Sequence, residues 1–409
     1  MHGVVEYDIS HIKGPLANTF LMLINALFFN VKLIGLNDVY PRDYSQQLLK
    51  EEETVFDFII VGGGAAGCAA AKEITETNIW TVLLIEAGDY PSPSTEVPGL
   101  FQAHPGSRED WQFWIEQDKR ACQGMVNQRC MFTKGKVLGG TSAINNLRYS
   151  RGLPDNYDRN NCDEWSSTVT SAIFDKLESY IGSEELQFHF GTSGEVHLQL
   201  SNFTGHPKEL LYKAYKDTGY LPMPRRKYIG LTDHTLTIRN GERYNMAKAF
   251  LTPIKDRPNL FFTKNTMVTG VVCTEPVDKR AVGVNVSIDG NEFFIRARKE
   301  VILTAGPINN AKLLLASGIG PANYLKERKI PLVADLAGVG KNLQFHLVVP
   351  MYVAIDPCEN CPKDYYKELD FIADISEYIL TRRGNLSGIG IGEFAAYILT
   401  RASGSSFLT

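Results

Sequence analysis

The chain has 409 residues, of which 44% are hydrophobic and 22% charged, with a formal net charge of −4. That length holds two or three domains or one elaborate α/β enzyme, and the composition is that of an ordinary globular protein. The charge argues against a nucleic-acid or acidic-membrane partner.

Residues 1–54 read as an N-terminal extension ending in the charged run Lys50-Glu51-Glu52-Glu53, the pattern of a solvated linker. Its most apolar stretch, 19–35, is broken by Asn25, Asn30 and Lys32, so no membrane span is expected. That stretch reads as an amphipathic helix, or as the remnant of a signal region without a basic leader or a small-residue cleavage site.

The next segment is more telling. Val55 to Val61 is a nearly continuous apolar run, as a buried parallel strand should be. It leads into Gly62-Gly63-Gly64-Ala65-Ala66-Gly67, which fits G-x-G-x-x-G with Gly62, Gly64 and Gly67. Ala65 to Thr77 reads as a helix and Thr81 to Ile85 as a second strand, ending in Glu86. That acid lies about 20 residues beyond Gly67, the spacing of a carboxylate that holds an adenosine ribose. The pyrophosphate of a dinucleotide would rest on the helix N-terminus, where free N–H groups and the dipole favour an anion.

A second loop follows at Gly135-Lys136-Val137-Leu138-Gly139-Gly140-Thr141-Ser142-Ala143-Ile144-Asn145. Gly139 and Gly140 permit positive φ and close backbone approach to a flat ligand. Thr141, Ser142 and Asn145 offer polar side chains beside them. Two such loops point to a large dinucleotide. A nicotinamide dehydrogenase would share the first loop but not the second.

Downstream, Trp165 to Tyr180 and His206 to Gly219 read as helices and Gly194 to Leu200 as a strand. Leu260 to Phe262, Val268 to Cys273, Val282 to Ile288 and Phe293 to Ala297 read as antiparallel strands. They feed a separate buried strand, Lys299 to Gly306.

The two loops together resemble those of the glucose–methanol–choline (GMC) family of FAD-dependent oxidoreductases, and within it the insect, glucose dehydrogenase-like members. The first family signature is matched from Gly135 to Asp158, including Asn145, Tyr149 and Gly152, and the second from Gly306 to Gly320. Asn310 and Ala311 depart from the second signature. Asn245 to Pro253 and Gly338 to Gln344 resemble further family segments, with Phe345 in place of the usual Asp before His346.

The resemblance implies an α/β fold: a Rossmann-like FAD-binding domain with an inserted α+β substrate domain built on an antiparallel sheet. On that basis residues 55–160 and 236–345 are assigned to the FAD-binding domain, and 161–235 and 346–409 to the substrate domain, incomplete at the C-terminus. FAD is the implied cofactor, held by Gly62, Gly64, Gly67, Glu86, Gly139, Gly140, Thr141, Asn145 and the backbone of Val268. Tyr149 and Arg151 are assigned either to the flavin surroundings or to packing.

The implied reaction is oxidation of a small alcohol, sugar or sterol at a CH–OH group by hydride transfer to flavin N5, with oxygen or a quinone as electron acceptor. The family's catalytic His lies in a C-terminal segment with no counterpart here, and none of the eight histidines sits in a matching motif. No catalytic residue is therefore assigned. The chain reads as an incomplete piece, or as a non-catalytic FAD-binding paralogue or interaction protein. As written it is expected to bind FAD poorly and to turn over no alcohol. Extracellular placement follows from the insect relatives, not from the N-terminus.

Cys122 and Cys130 are expected to close a small loop as a disulfide. Cys358-Glu359-Asn360-Cys361 reads as a loop disulfide or free thiols, with no second pair to complete a structural zinc site. Asn202, Asn285 and Asn385 head N-glycosylation patterns. His104, His189 and His234 lack metal-ligand spacing.

Overall fold

The computed structural model describes residues 39–50, 54–159, 162–182, 190–200, 206–220, 230–274, 279–346, 348, 368–390 and 394–397. The apolar stretch 19–35, most of the charged run before Thr54, His189, the Asn202 acceptor and the Cys358/Cys361 pair lie outside the described residues.

In chain order the elements that build the site begin with strand β1 (Val55–Val61), helix α1 (Ala65–Thr75) and β2 (Val82–Ile85). Then come β3 (Arg148–Tyr149), α2 (Ser167–Leu177), β4 (Glu178–Ile181), β5 (Val196–Leu200) and α3 (His206–Asp217). They are followed by β6 (Thr235–Leu236), α4 (Met246–Phe250), β7 (Leu260–Thr263), β8 (Thr266–Cys273) and β9 (Ala281–Ile288). Last are β10 (Asn291–Leu303), α5 (Gly306–Ala316) and α6 (Glu368–Thr381).

Six strands form the main sheet in the order β7-β2-β1-β10-β9-β8. The first four are parallel, and β9 and β8 add an antiparallel extension. The parallel strands alternate between two buried faces, which is why they read as continuous apolar runs. Ile60, Val82 and Leu84 pack with Cys68 and Ala71 of α1 and with Ala247 and Phe250 of α4. Ile59, Val61, Leu83 and Ile85 pack on the opposite face with Val268, Val284 and Leu313. Small residues let α1 lie close on the sheet: a Cβ at Gly67 would stand 2.0 Å from the Gly62 carbonyl oxygen.

A second, four-stranded sheet runs β3-β6-β5-β4. It sits on a buried ionic cluster. Glu178, fully buried at the start of β4, accepts from the Tyr149 hydroxyl at 2.7 Å, Arg151 Nε at 2.6 Å and the Gly191 N–H at 2.9 Å. Arg151 also bonds the second Glu178 oxygen and reaches Asp175 at 2.8 Å.

Three elements differ from the sequence reading. Leu260–Thr263 is not antiparallel: it pairs parallel with β2. The two strands read over 293–297 and 299–306 are one strand, β10, which pairs β9 with its first half and β1 with its second. The helix read to Tyr180 ends at Leu177, where the burial of Glu178 draws the chain into β4.

Candidate cofactor site

The two glycine loops meet over the C-terminal ends of the parallel strands. In the first, Gly62 adopts φ +107° and is locked from both sides. Its N–H donates to the Ile85 carbonyl at 2.8 Å, and its carbonyl accepts from Thr304 Oγ1 at 2.8 Å. The turn delivers Gly64 as N-cap of α1, leaving the first backbone N–H groups of the helix without intrahelical acceptors.

In the second loop Gly139 and Gly140 adopt φ +92° and +57°, and a short 3₁₀ turn runs from Gly140 to Ala143. Val137, Ala143 and Ile144 anchor that turn in a small apolar cluster of their own. The loops are joined directly: Gly139 N–H donates to the Gly63 carbonyl at 2.7 Å. A Cβ on Gly140 would stand 2.8 Å from the Gly64 Cα.

Between them opens a cleft of about 460 Å³, within the range of small-molecule and cofactor pockets. Gly62, Gly64, Glu86, Gly140, Thr141 and Val268 all line it. Three other predicted residues stand behind the wall. Gly67 packs α1 on β1, Gly139 lies against Asn245, and Asn145 turns its side chain to the Leu147 N–H and to Arg243. Tyr149 and Arg151 belong to the Glu178 cluster, not to the cleft.

Glu86 is the only acid among the described lining residues. It is buried, with Oε2 accepting from the Gly63 N–H and Oε1 from the Gly88 N–H, each at 2.8 Å. Burial pushes its carboxyl up from 4.5 to about 7, against the lowering effect of those N–H groups. Its remaining lone pairs suit vicinal hydroxyl donors.

Other groups of the cleft lie outside the residues assigned to the cofactor from sequence, although Pro307 and Asn309 belong to the second signature. Thr304, Pro307 and Asn309 bring the start of α5 to the wall, and Trp111, Phe113 and Lys134 come from an irregular segment. That segment holds a two-stranded ribbon pairing Phe113–Trp114 with Met131–Phe132. The Cys122–Cys130 disulfide closes the loop beyond it. The ribbon carried no periodic signal because each strand is two residues long.

No histidine lines the cleft among the described residues. His104 is buried with Nδ1 3.5 Å from Glu109, and His346 is exposed. Burial beside Arg148 pushes His234 down to about 4. The described residues contain no group of three potential metal ligands and no helix long and apolar enough to cross a membrane.

A family profile for GMC oxidoreductase matches residues 56–348, which contain both loops and every strand of the main sheet. The chain belongs to the GMC oxidoreductase family. Glucose dehydrogenase [FAD, quinone] of Drosophila melanogaster is 34% identical over 88% of the chain and 58% of that protein. Ecdysone oxidase of Spodoptera littoralis is 31% identical over 88% of the chain and 60% of its own length. Oxygen-dependent choline dehydrogenase of Brucella suis is 33% identical, with 85% and 62% covered.

A crystal structure of formate oxidase superposes with TM-score 0.70 at 26% identity, covering 85% of the chain and 62% of that structure. An FAD-dependent oxidoreductase from Chaetomium thermophilum gives 0.71 at 26%, covering 82% and 60%. The GMC chain described here thus spans about three-fifths of the length of these relatives.

Proposed function

We propose that this GMC chain holds FAD in the cleft between its two glycine loops and forms the cofactor-holding part of an oxidoreductase acting on CH–OH donors. The meeting of the two glycine loops over the C-terminal ends of the parallel strands carries this reading, because the cleft between them is lined both by Gly64 at the N-terminus of α1 and by the buried Glu86. The N-terminus of α1 favours the pyrophosphate, Glu86 accepts the ribose hydroxyls, and the backbone around Val268 flanks the adenosine end. The Gly140–Ser142 turn presents the Thr141 hydroxyl to the flavin side, while the Ser142 hydroxyl holds the turn through Gly139 and Met246. When bound, FAD supplies the two-electron acceptor that receives hydride from the carbinol carbon.

The donor in this proposal is a primary or secondary alcohol, a class spanning sugars, sterols and smaller alcohols, and the acceptor is oxygen or a quinone. Residues 161–235 are assigned to the substrate side, since they supply β4 and β5 of the second sheet, apart from the main sheet, and 346–409 are assigned to it on the family resemblance. Extracellular placement is proposed on the Cys122–Cys130 disulfide, since such bonds persist in oxidising compartments.

The test is titration of flavin-free chain with FAD, FMN and NAD, followed through quenching of Trp111 fluorescence. Saturable binding that prefers FAD is expected. Preference for NAD, or no binding of FAD, overturns the reading.

A further inference from the structure

Arg243 is the largest fully buried side chain of the described residues, yet it lines no part of the cleft. It sits on a short strand, Glu242–Arg243, and its guanidinium gathers two distant segments. Nε donates to the Thr95 carbonyl at 2.7 Å. Nη1 donates to the Ser142 carbonyl at 3.2 Å and to Asn145 Oδ1 at 2.8 Å, and Nη2 to the Asn145 carbonyl at 2.8 Å. All of these acceptors are neutral oxygens. Burial lowers the guanidinium only to about 10, so it stays charged at neutral pH and its hydrogen bonds are charge-assisted.

The residues that follow continue the same contact. Asn245 Oδ1 accepts from the Lys248 N–H at 2.9 Å, capping α4, and abuts Gly139. The Met246 N–H donates to Ser142 Oγ at 3.0 Å, and that hydroxyl in turn donates to the Gly139 carbonyl at 2.6 Å. Gly139 and Gly140 have no side chains and both hold positive φ. The turn is held on one side by the Gly139–Gly63 bond and its own apolar cluster, and on the other by what grips it at Ser142 and Asn145.

We propose that Arg243 is a positioning residue which, through the Ser142 and Asn145 oxygens, sets the Gly140–Ser142 turn in the geometry that receives the cofactor. The inference rests on the reading of the cleft as an FAD site. It also gives Asn145 a role: its amide is the strut on which Arg243 pulls.

The experiment compares the chain with Arg243→Ala, Arg243→Lys and the control Arg257→Ala. Arg257 is likewise a structural anchor, bonding the Lys72 carbonyl and Thr75 Oγ1 at 2.8 Å each, but it grips the far end of α1. Two readouts are taken: FAD affinity by titration, and hydrogen exchange of the backbone amides from Thr141 to Leu147 in the flavin-free chain.

Arg243→Ala is expected to weaken FAD binding about tenfold or more and to speed exchange in that turn, while Arg257→Ala leaves both unchanged. Added guanidinium at millimolar concentration should restore affinity to Arg243→Ala where sodium chloride does not. If Arg243→Ala does not fold, Arg243→Lys carries the test: it keeps the buried charge but has one nitrogen for oxygens that need three, and should still loosen the turn. Unchanged exchange, or a loosened turn with unchanged FAD affinity, overturns the inference. Failure of the unsubstituted chain to bind FAD overturns the reading of the cleft, and this inference with it.

Discussion

Gly64 and Gly140 touch backbone to backbone, and the contact leaves no room for a side chain on Gly140: a Cβ there would lie 2.8 Å from the Gly64 Cα, whereas one on Gly64 would stand 3.9 Å from the Gly140 Cα. Gly140 also holds φ +57°, a conformation that costs an L-residue roughly 1–2 kcal/mol. Gly140→Val should therefore part the two loops while the sheet beneath them survives. FAD affinity is expected to fall at least about tenfold with little change in far-UV circular dichroism. A folded variant that binds FAD as tightly as the parent would remove this turn from the site.

Glu86 makes an opposite pair of pH predictions. Its carboxyl is raised from 4.5 to about 7, so the folded, flavin-free chain favours the neutral form. The cost of burying the charge is absent below the unfolded value, grows as pH rises between the two values, and is complete above pH 7, at roughly 3 kcal/mol. Whatever constant offset Glu86→Gln introduces, its stability relative to the parent should move by about 2–3 kcal/mol in its favour between pH 5 and pH 8. Thermal melts across that range check this, and parallel melts would contradict it. Ribose hydroxyls need the ionised acceptor, so FAD affinity of the parent should rise over the same interval, and that of Glu86→Gln should not.

Arg151 separates packing from cofactor binding. It neutralises Glu178, which is fully buried. Removing one partner of a buried pair typically costs about 3–5 kcal/mol, because the remaining charge is stranded. Arg151→Met should lower the melting temperature by several degrees, and Arg151→Met/Glu178→Gln should recover part of the loss. Neither residue lines the cleft, so FAD affinity measured below the melt should stay within about twofold of the parent.

The Cys122–Cys130 disulfide closes a short loop beyond the ribbon that brings Phe113 to the cleft. For a loop of this length the constraint on the unfolded chain is worth about 2.5 kcal/mol on the entropy model. Because the loop is local and exposed, the effect of Cys122→Ser/Cys130→Ser should be local too. Proteolysis between Asp118 and Cys130 is expected to accelerate, with a small change in the global melt. A large global loss with unchanged proteolysis would contradict this.

The parts of this fold legible in the sequence are those whose cause is local. β1 and β2 are apolar because both faces are buried, and the glycines of the first loop are fixed by close approach within a few residues. What could not be read depends on partners far along the chain. Leu260–Thr263 looks like any short apolar strand, and only its pairing with β2 makes it parallel. Arg298, Lys299 and Glu300 made β10 look like two strands, yet all three are exposed on one strand, whose pairing with β1 shifts register between Ala297 and Glu300. Asn145 carried a family signal for the cofactor. Its side-chain partner Arg243 lies 98 residues away, and no local pattern marks an arginine as buried.

The shared strand β10 also governs when the site can exist. β1 gains its second neighbour only once residues 296–303 have been made, and the Gly62 turn gains its Thr304 bonds 243 residues after Val61. At synthesis rates of about 5–20 residues per second, that is a wait of roughly 10–50 s. Throughout it one edge of β1 stands open, and until β7 is made one edge of β2 does too, both on strands without a charged residue between Phe58 and Val61 or between Val82 and Ile85. The first glycine loop, made early in the chain, is thus among the last features of the parallel sheet to be fixed.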